Sequence, residues 1–180
     1  SRHGSNGVMT QRFTCVFHAS THVNAPLHLV PGGAGVGKIP MDRFFGTGVV
    51  LNIPKGKWGL VTDSDLANAK PAIKANDIVI IVTGWHAKYS DSKEYFGYAP
   101  GLSKSAAQWL VKKKVKSVWI DTADIDHPLA TSLAQQHRII FCPNRSVHSF
   151  LKGVHVDSTH ARAKDCSHHK RSDSYRLPPY

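Results

Sequence analysis

Hydrophobic residues recur along most of the chain with the periods of two kinds of secondary structure. Residues 77–83 are nearly all β-branched, which predicts a strand buried on both faces. Residues 104–114 place apolar side chains at helical spacing after a capping residue, Ser103. Residues 115–121 then predict another buried strand. This strand–helix–strand order predicts a βαβ unit within a mixed α/β fold.

Shorter elements are predicted before this unit. Residues 12–18 alternate between apolar and polar side chains, which predicts a half-buried strand. The valine-rich residues 45–53 predict a second strand, and the intervening segment 26–40 is a loop rich in Pro and Gly. Thr62 is the predicted cap of a short helix that ends before Pro71.

The regular pattern stops after residue 140. Residues 142–180 show no sustained period of 2 or 3.6, and they end in Leu-Pro-Pro-Tyr. We therefore divide the chain into an α/β domain at 1–141 and an irregular C-terminal tail at 142–180. Two interpretations of the tail stay open. It is either a disordered basic segment or a stretch of non-native sequence such as a frameshift produces.

The composition predicts one soluble globular domain. The chain has 180 residues and is 41% hydrophobic, which is enough for a packed core and too much for a disordered chain. No apolar run approaches the roughly 20 residues that a membrane span needs, so no membrane partner is expected. The three cysteines do not form a disulfide pattern, and no signal peptide opens the chain, so we expect a cytoplasmic protein.

The net charge of +11 first suggests a nucleic-acid partner, because a basic surface attracts phosphates. The tail contributes +4 of this charge, from seven Lys or Arg residues less three Asp residues. One hypothesis is therefore nucleic-acid binding through the basic tail. No basic motif interleaved with aromatic residues supports it, so nucleic acid is not the partner we favour.

A cluster of histidines carries the clearest chemical signal. His18, His22 and His28 lie within eleven residues and include Asn24, which is a composition typical of metal ligands. Residues four apart on a strand are about 13 Å apart, so His18 and His22 share an ion only if the chain bends between them. Three ordinary surface histidines are the alternative, and the spacing alone leaves both possibilities open.

This segment resembles the motif His-x-Gly-Thr-His-x-Asp-x-Pro-x-His of the cyclase family, which includes bacterial kynurenine formamidase and isatin hydrolase. The matching positions are His18, Thr21, His22, Pro26 and His28. Ser20 stands in place of the glycine, and Asn24 in place of the aspartate. The resemblance extends over about residues 11–133 in the order of the family's segments, including Thr83-Gly84-Trp85 and Pro100-Gly101-Leu102-Ser103.

The resemblance implies a swivelling β/β/α fold and assembly as homo-oligomers. It implies a metal-dependent hydrolase that cleaves the C–N bond of a small amide or lactam. The substrate would be an arylformamide of tryptophan catabolism or a cyclic amide such as isatin. His18, His22 and the residue at position 24 would bind a divalent zinc or manganese ion, and His28 would transfer a proton. Trp85 is a candidate for stacking on the substrate, with an ordinary core tryptophan as the alternative.

Two departures from the family pattern suggest impaired activity. Asn24 offers a neutral oxygen where the family has a carboxylate, which predicts weaker zinc binding. The family's second metal is bound by a later His and Glu, but the only glutamate here is Glu94, which lies upstream. His137 resembles the later histidine without a following acid until Asp157. A catalytically inactive or truncated remnant is therefore the alternative function.

Two further motifs are expected to have no catalytic role. Gly32 to Lys38 imitates a phosphate-binding loop, but Ile39 replaces the metal-binding hydroxyl residue and Pro40 disfavours the required helix, so we predict a loop. Asp124 and Asp126 follow a predicted strand, where we expect them to act as caps and turn formers.

Overall fold

The structure of the chain is a computed structural model, which describes residues 7–16, 18–90, 92–129 and 139–140 together with the backbone of 2–3, 147–150 and 162–163. The strands in this part are β1 (Arg2–His3), β2 (Met9–Thr10), β3 (His22–Asn24), β4 (Gly48–Asn52), β5 (Leu60–Val61), β6 (Ile78–Val82), β7 (Gly101–Leu102), β8 (Ser117–Ile120), β9 (Val147–Phe150) and β10 (Arg162–Ala163). The α-helices in this part are α1 (Asp63–Asn68), α2 (Lys93–Gly97) and α3 (Lys104–Lys112). Short 3₁₀ helices span Pro26–His28, Val36–Lys38, Met41–Arg43 and Trp85–Lys88.

One six-stranded sheet organises the fold, with the strand order β10-β4-β6-β8-β9-β3. The four central strands run parallel, whereas the two edge strands run antiparallel to their neighbours. β6 and β8 are parallel neighbours with α3 between them in sequence, which confirms the predicted βαβ unit and the mixed α/β class. The carboxyl ends of β4, β6 and β8 meet at one edge of the sheet, where α/β proteins usually bind their ligands.

Alternate residues of three parallel strands form the sheet side of the hydrophobic core. These residues are fully buried: Val49 and Leu51, Val79 and Ile81, Val118 and Ile120. Leu66 of α1 and Ala106, Ala107 and Leu110 of α3 belong to the same cluster. Strand side chains alternate between the two faces, so α1 and α3 both pack on one face of the sheet.

The opposite face of the sheet is less buried. Val50, Ile80 and Trp119 lie side by side in the strand register and are half-buried. Ile78 and Val82, on the same face of β6 as Ile80, are buried. The expectation that residues 77–83 are buried on both faces is therefore met only in part. The reason is that both helices of the core cluster pack on the other face.

The helix starts follow the predicted caps. Asp65 N–H donates to Thr62 Oγ1 at 3.2 Å, and Thr62 N–H donates to the Asp65 carboxylate at 2.7 Å, which forms a capping box before α1. Ser103 Oγ accepts a hydrogen bond from Ala106 N–H at 3.1 Å before α3. α1 ends ahead of Pro71 as predicted. Among the described residues, the helices are too short or too polar to cross a membrane.

The predicted strand at 12–18 is wrong. Residues 11–16 have no regular secondary structure, and a bend begins at His18. Phe13 and Val16 are 84% and 72% exposed, so this alternating segment has no apolar surface to pack against. An alternating pattern forms a strand only where a neighbouring strand and a core receive it.

Two short strands come from the segment that we separated as a tail. The backbone of β9 lies between β8 and β3, and the backbone of β10 pairs with β4. The other residues of 142–180 lie outside the described residues. The division at residue 141 and both interpretations of the tail therefore stay predictions.

Replacing Leu110 by Ala should destabilise the fold by about 2–5 kcal/mol, because it leaves a cavity between α3 and the sheet. The free energy of unfolding is measured by urea denaturation. Gln108→Ala on the exposed side of the same helix is the matched control and should change stability by less than about 0.5 kcal/mol. Equal effects of the two substitutions would contradict the assignment of the core face.

Candidate metal centre

The chain bends sharply just before β3. Residues 18–21 form this bend, and Ser20 has a φ of 57°. This left-handed conformation is one that glycine adopts without steric cost, which explains the glycine in the family motif. The bend brings the ring of His18 next to that of His22. On a straight strand the two residues would be about 13 Å apart.

His18 and His22 are joined by a hydrogen bond between their rings. His22 Nδ1–H donates to the carbonyl oxygen of Ser20 at 2.8 Å, since a carbonyl can only accept. In the neutral His22 ring, Nε2 therefore carries the lone pair, and it lies 3.0 Å from His18 Nδ1. The two ring centroids are 4.5 Å apart, with an angle of 70° between the planes.

His28 completes a group of three imidazole rings. It ends the 3₁₀ helix Pro26–His28. Its ring stacks on that of His18, with centroids 4.9 Å apart and an angle of 19° between the planes. The structure thus brings together the three histidines that the sequence singled out.

Asn24 ends β3 and is 6% exposed. Its side chain forms a hydrogen bond with His18 that acts to raise the pKa of that ring. The amide nitrogen is buried without a hydrogen-bond partner among the described residues. Position 24 therefore places an uncharged amide beside the ring of His18.

The pKa of His18 is lowered from its ordinary value of 6.5. The largest cause is partial burial, which disfavours the charged ring, and the neighbouring His22 and His28 lower the pKa further. Two groups act in the opposite direction, the carboxylate of Asp124 and the hydrogen bond with Asn24. The net shift favours the neutral imidazole, which is the form that binds metal ions.

Two ring nitrogens lie at a separation close to that of two ligands of one divalent ion. Zinc–nitrogen bonds of about 2.0–2.1 Å at a tetrahedral centre place two ligand nitrogens about 3.4 Å apart. The distance of 3.0 Å between His18 Nδ1 and His22 Nε2 is close to that separation. Imidazole and amide-oxygen ligands suit zinc or manganese. His18, His22 and Asn24 are thus the candidate ligands, and none of the three side chains carries a negative charge.

No group of three or more His, Cys, Asp or Glu side chains in the described part is placed to hold a metal ion. The third donor of the proposed set is an amide, which lies outside those residue types. Glu94 lies in α2 and forms an exposed ion pair with Lys88. His137 lies outside the described residues, so the loss of the second metal site stays a prediction.

Asp121 organises the ends of β6 and β8. It is fully buried, and one carboxylate oxygen accepts hydrogen bonds from Thr83 N–H at 2.9 Å and Thr83 Oγ1–H at 2.6 Å. The other oxygen accepts from Gly84 N–H at 2.9 Å and contacts His86 Nδ1 at 2.8 Å. The sequence patterns assigned no role to Asp121. The available signal was a polar residue at the end of each of two predicted parallel strands.

Trp85 lies inside a small aromatic cluster instead of facing open space. It is 3% exposed and packs with Tyr95 and Ala99. Its indole N–H donates to the carbonyl oxygen of Tyr95 at 2.9 Å, and Lys88 Nζ lies 5.0 Å from its ring centroid. These contacts favour the core tryptophan over a residue that stacks on the substrate. Burial, with Asp121 and Tyr89, raises the pKa of the Tyr95 hydroxyl.

The glycine-rich segment is a loop that packs against the histidine turn. It contains a three-residue 3₁₀ helix at Val36–Lys38. Leu27 N–H donates to the carbonyl oxygen of Ala34 at 3.1 Å, and a Cβ on Gly33 would lie 2.9 Å from the carbonyl carbon of Pro26. The close approach explains the glycine and gives the loop a structural role near His28.

Lowering the pH should destabilise the metal-free protein partly through His18. Because the pKa of this ring is lower in the folded state, the unfolded chain takes up the proton first and stability falls as the pH drops through 6.5. Urea midpoints at about pH 7.5 and about pH 5.5 with EDTA measure the effect. Wild type should lose more stability than His18→Gln, and equal losses would contradict the stated environment of His18.

Asp121→Ala should destabilise the protein by at least about 3 kcal/mol, because it leaves the donors of Thr83, Gly84 and His86 without their acceptor. Thermal and urea unfolding measure the loss. Asp63→Ala is the control, since Asp63 accepts one exposed hydrogen bond from Ser105. A loss for Asp121→Ala no larger than that of the control would refute the role of Asp121 in joining the two strands.

Comparison with known proteins identifies the family. The Cyclase family model matches residues 3–127, which is more than two-thirds of the chain. The kynurenine formamidase of Delftia acidovorans is 32% identical over 123 residues, which cover 68% of this chain and 55% of that protein. The chain thus spans about half the length of the curated relatives it matches.

Solved structures show the same fold. Isatin hydrolase A from Ralstonia solanacearum superposes with a TM-score of 0.70 at 22% identity, covering 84% of this chain and 66% of that one. A potential metal-dependent hydrolase with cyclase activity also has a TM-score of 0.70 at 22% identity, covering 84% and 70%. The expected cyclase-like α/β fold is therefore confirmed. The family model, which matches residues 3–127, shows that the chain belongs to the cyclase family.

Proposed function

We propose that this chain belongs to a metal-dependent hydrolase that cleaves the C–N bond of an amide. The observation that carries the proposal is the convergence of His18, His22 and His28 at one bend beside Asn24. The similarity to a kynurenine formamidase supports an amide as the bond that is cleaved. Because the chain covers only 55% of that relative, the activity of the whole protein is part of the proposal.

His18, His22 and Asn24 would hold one divalent ion, zinc or manganese. When bound, such an ion lowers the pKa of water and polarises an amide carbonyl. His18 and His22 contribute the facing ring nitrogens, and the hydrogen bond from His22 to Ser20 orients its ring. The partial burial that lowers the pKa of His18 keeps that ring neutral and its lone pair available.

His28 would move the proton between water and the leaving nitrogen. Imidazole is the side chain whose charge changes closest to neutral pH, so it can accept and return a proton in one cycle. Stacking on His18 holds the His28 ring beside the proposed ligands. The hydrogen bond from Leu27 N–H to the carbonyl oxygen of Ala34 restrains the 3₁₀ helix Pro26–His28 that carries this ring.

A small arylformamide or a cyclic amide is the proposed substrate class. N-formylkynurenine, from tryptophan catabolism, and isatin are the two test compounds, chosen because relatives are a kynurenine formamidase and an isatin hydrolase. Assembly as a homo-oligomer and a cytoplasmic location stay part of the proposal. The burial of Trp85 gives no support to its role in stacking on the substrate.

A catalytically inactive remnant is the second candidate, and Asn24 is the observation that favours it. The amide replaces an anionic ligand by a neutral one, so the donor set has no negative charge to offset a divalent ion. Metal analysis of the purified protein separates the two candidates. Nucleic-acid binding through residues 142–180 stays a prediction, because most of that segment lies outside the described residues.

Chelation should abolish hydrolysis of N-formylkynurenine or isatin, and added zinc or manganese should restore it. His28→Ala should keep the bound metal but lower the turnover number by about 10²–10⁴-fold, since only proton transfer is lost. Metal content is measured by mass spectrometry and hydrolysis by absorbance.

His127→Ala is the matched control. Nε2 of this histidine lies 2.9 Å from the carbonyl oxygen of Trp58, and His127 is not one of the proposed ligands. Its replacement should leave both metal content and turnover unchanged. Normal hydrolysis by the metal-free protein would overturn the proposed function, and a protein that binds no divalent ion would favour the remnant.

A further inference from the structure

A polar cavity lies between the carboxyl end of β4 and the helix α1. Its volume is about 330 Å³, which is at the lower end of the range for sites that bind small molecules. Residues at the end of β4 and just after it form one wall, and Ser64, Asp65 and Asn68 of α1 form the other. The carboxyl ends of parallel strands are the usual place for ligands in α/β proteins. The cavity is therefore a candidate binding site to which the proposed function gives no role.

The cavity is separate from the histidine bend. β4 and β3 are four strand spacings apart in the sheet, with β6, β8 and β9 between them. At about 4.8 Å for each spacing, this separation is about 19 Å. A ligand of the size of a free amino acid cannot contact both places at once.

An ion pair lies on the wall of the cavity. Lys55 Nζ is 2.9 Å from Asp65 Oδ2, and both side chains are half-buried. The same oxygen accepts hydrogen bonds from Thr62 N–H at 2.7 Å and from Thr62 Oγ1–H at 2.8 Å. Burial acts to raise the pKa of Asp65, but the hydrogen bonds with Lys55 and Thr62 lower it overall. The carboxylate is therefore charged at neutral pH.

The backbone restrains both members of the pair. Lys55 N–H donates to the carbonyl oxygen of Thr83 at 3.1 Å, so the chain that carries Lys55 remains bonded to the residues after β6. Asp65 belongs to the first turn of α1 and forms the capping box with Thr62. Groups that are already restrained lose little conformational freedom when a ligand binds, which favours binding.

The cavity wall has unused capacity for hydrogen bonds. Among the described residues, none donates a hydrogen bond to Asp65 Oδ1. An ammonium group has three N–H donors, and the contact with Asp65 uses one of those of Lys55. The side chains of Asn52, Ser64 and Asn68 also line the cavity, and no hydrogen bond joins them to other residues in the described part of the chain. A ligand therefore meets available donors and acceptors on both walls.

Charges of both signs select against a ligand that carries only one of them. An anion is attracted by Lys55 and repelled by Asp65, and a cation meets the reverse. In an α-amino acid, the ammonium nitrogen and the nearer carboxylate oxygen are about 3 Å apart. This separation is close to the 2.9 Å between Lys55 Nζ and Asp65 Oδ2. The amino acid can thus lie antiparallel to the ion pair, with its ammonium group at Asp65 Oδ1 and its carboxylate at Lys55 Nζ.

We propose that this cavity binds a small zwitterionic α-amino acid through the ion pair of Lys55 and Asp65. Ile53, Pro54 and Ala69 also line the cavity and offer apolar surface to the carbon atoms of such a ligand. The site is independent of the proposed function, since none of its residues belongs to the candidate metal centre.

Isothermal titration calorimetry with L-alanine tests the proposal. The wild type should bind L-alanine saturably. N-acetyl-L-alanine lacks the ammonium group and L-alaninamide lacks the carboxylate, so each should bind at least about 10-fold more weakly. Lys55→Gln and Asp65→Asn should each weaken the binding of L-alanine by about 10–100-fold. Lys57→Gln and Asp63→Asn remove the same charges from residues outside the cavity lining and are the matched controls, with unchanged affinity.

Circular dichroism and thermal melting establish that each variant folds. The amide oxygen in Asp65→Asn still accepts the hydrogen bond from Thr62 N–H, and if this variant does not fold, Lys55→Gln decides alone. Absence of saturable binding by the wild type, wild-type affinity of folded Lys55→Gln, or equal binding of L-alanine and N-acetyl-L-alanine each overturns the inference. EDTA and His18→Gln should leave the binding of L-alanine unchanged, so a failure of the proposed function is distinguishable from a failure here.

Discussion

The buried face shared by β4, β6 and β8 is the constraint on which the rest of the structure depends. Alternate aliphatic side chains of these strands lose contact with water only when α1 and α3 pack on them. Parallel strands need such crossover segments, so covering this face also places the carboxyl ends of the strands at one edge. The loops that carry Asp121 and Asp124 are gathered at this edge as a consequence.

Polar groups at this edge are held by short-range contacts. Asp121 joins the ends of β6 and β8 through Thr83, Gly84 and His86, which makes a buried charge tolerable by surrounding it with donors. The histidine bend is held differently, through the left-handed Ser20 and the ring contacts of His18. One arrangement joins strands, and the other brings imidazole rings together.

The candidate site also shows how neighbouring charges and burial act against each other. Burial and two adjacent imidazoles lower the pKa of His18, whereas Asp124 and Asn24 raise it. A metal-binding histidine must be neutral, yet the ion it binds is positive. Partial burial of His18 favours the neutral ring, which is the form that metal binding requires.

Local sequence determined the helix caps at Thr62 and Ser103, the β6–α3–β8 unit and the family motif, because these depend on neighbouring residues and on strong hydrophobic periods. The alternation at 12–18 predicted a strand that does not form. A strand needs a neighbouring strand and a core to pack on, and a local pattern does not show whether they are present. Only the tertiary structure decided that Trp85 is buried, that Asp121 joins two strands and that the rings of His18, His22 and His28 converge. Burial, buried hydrogen bonds and electrostatic fields depend on distances in space, which the order of residues along a chain does not specify.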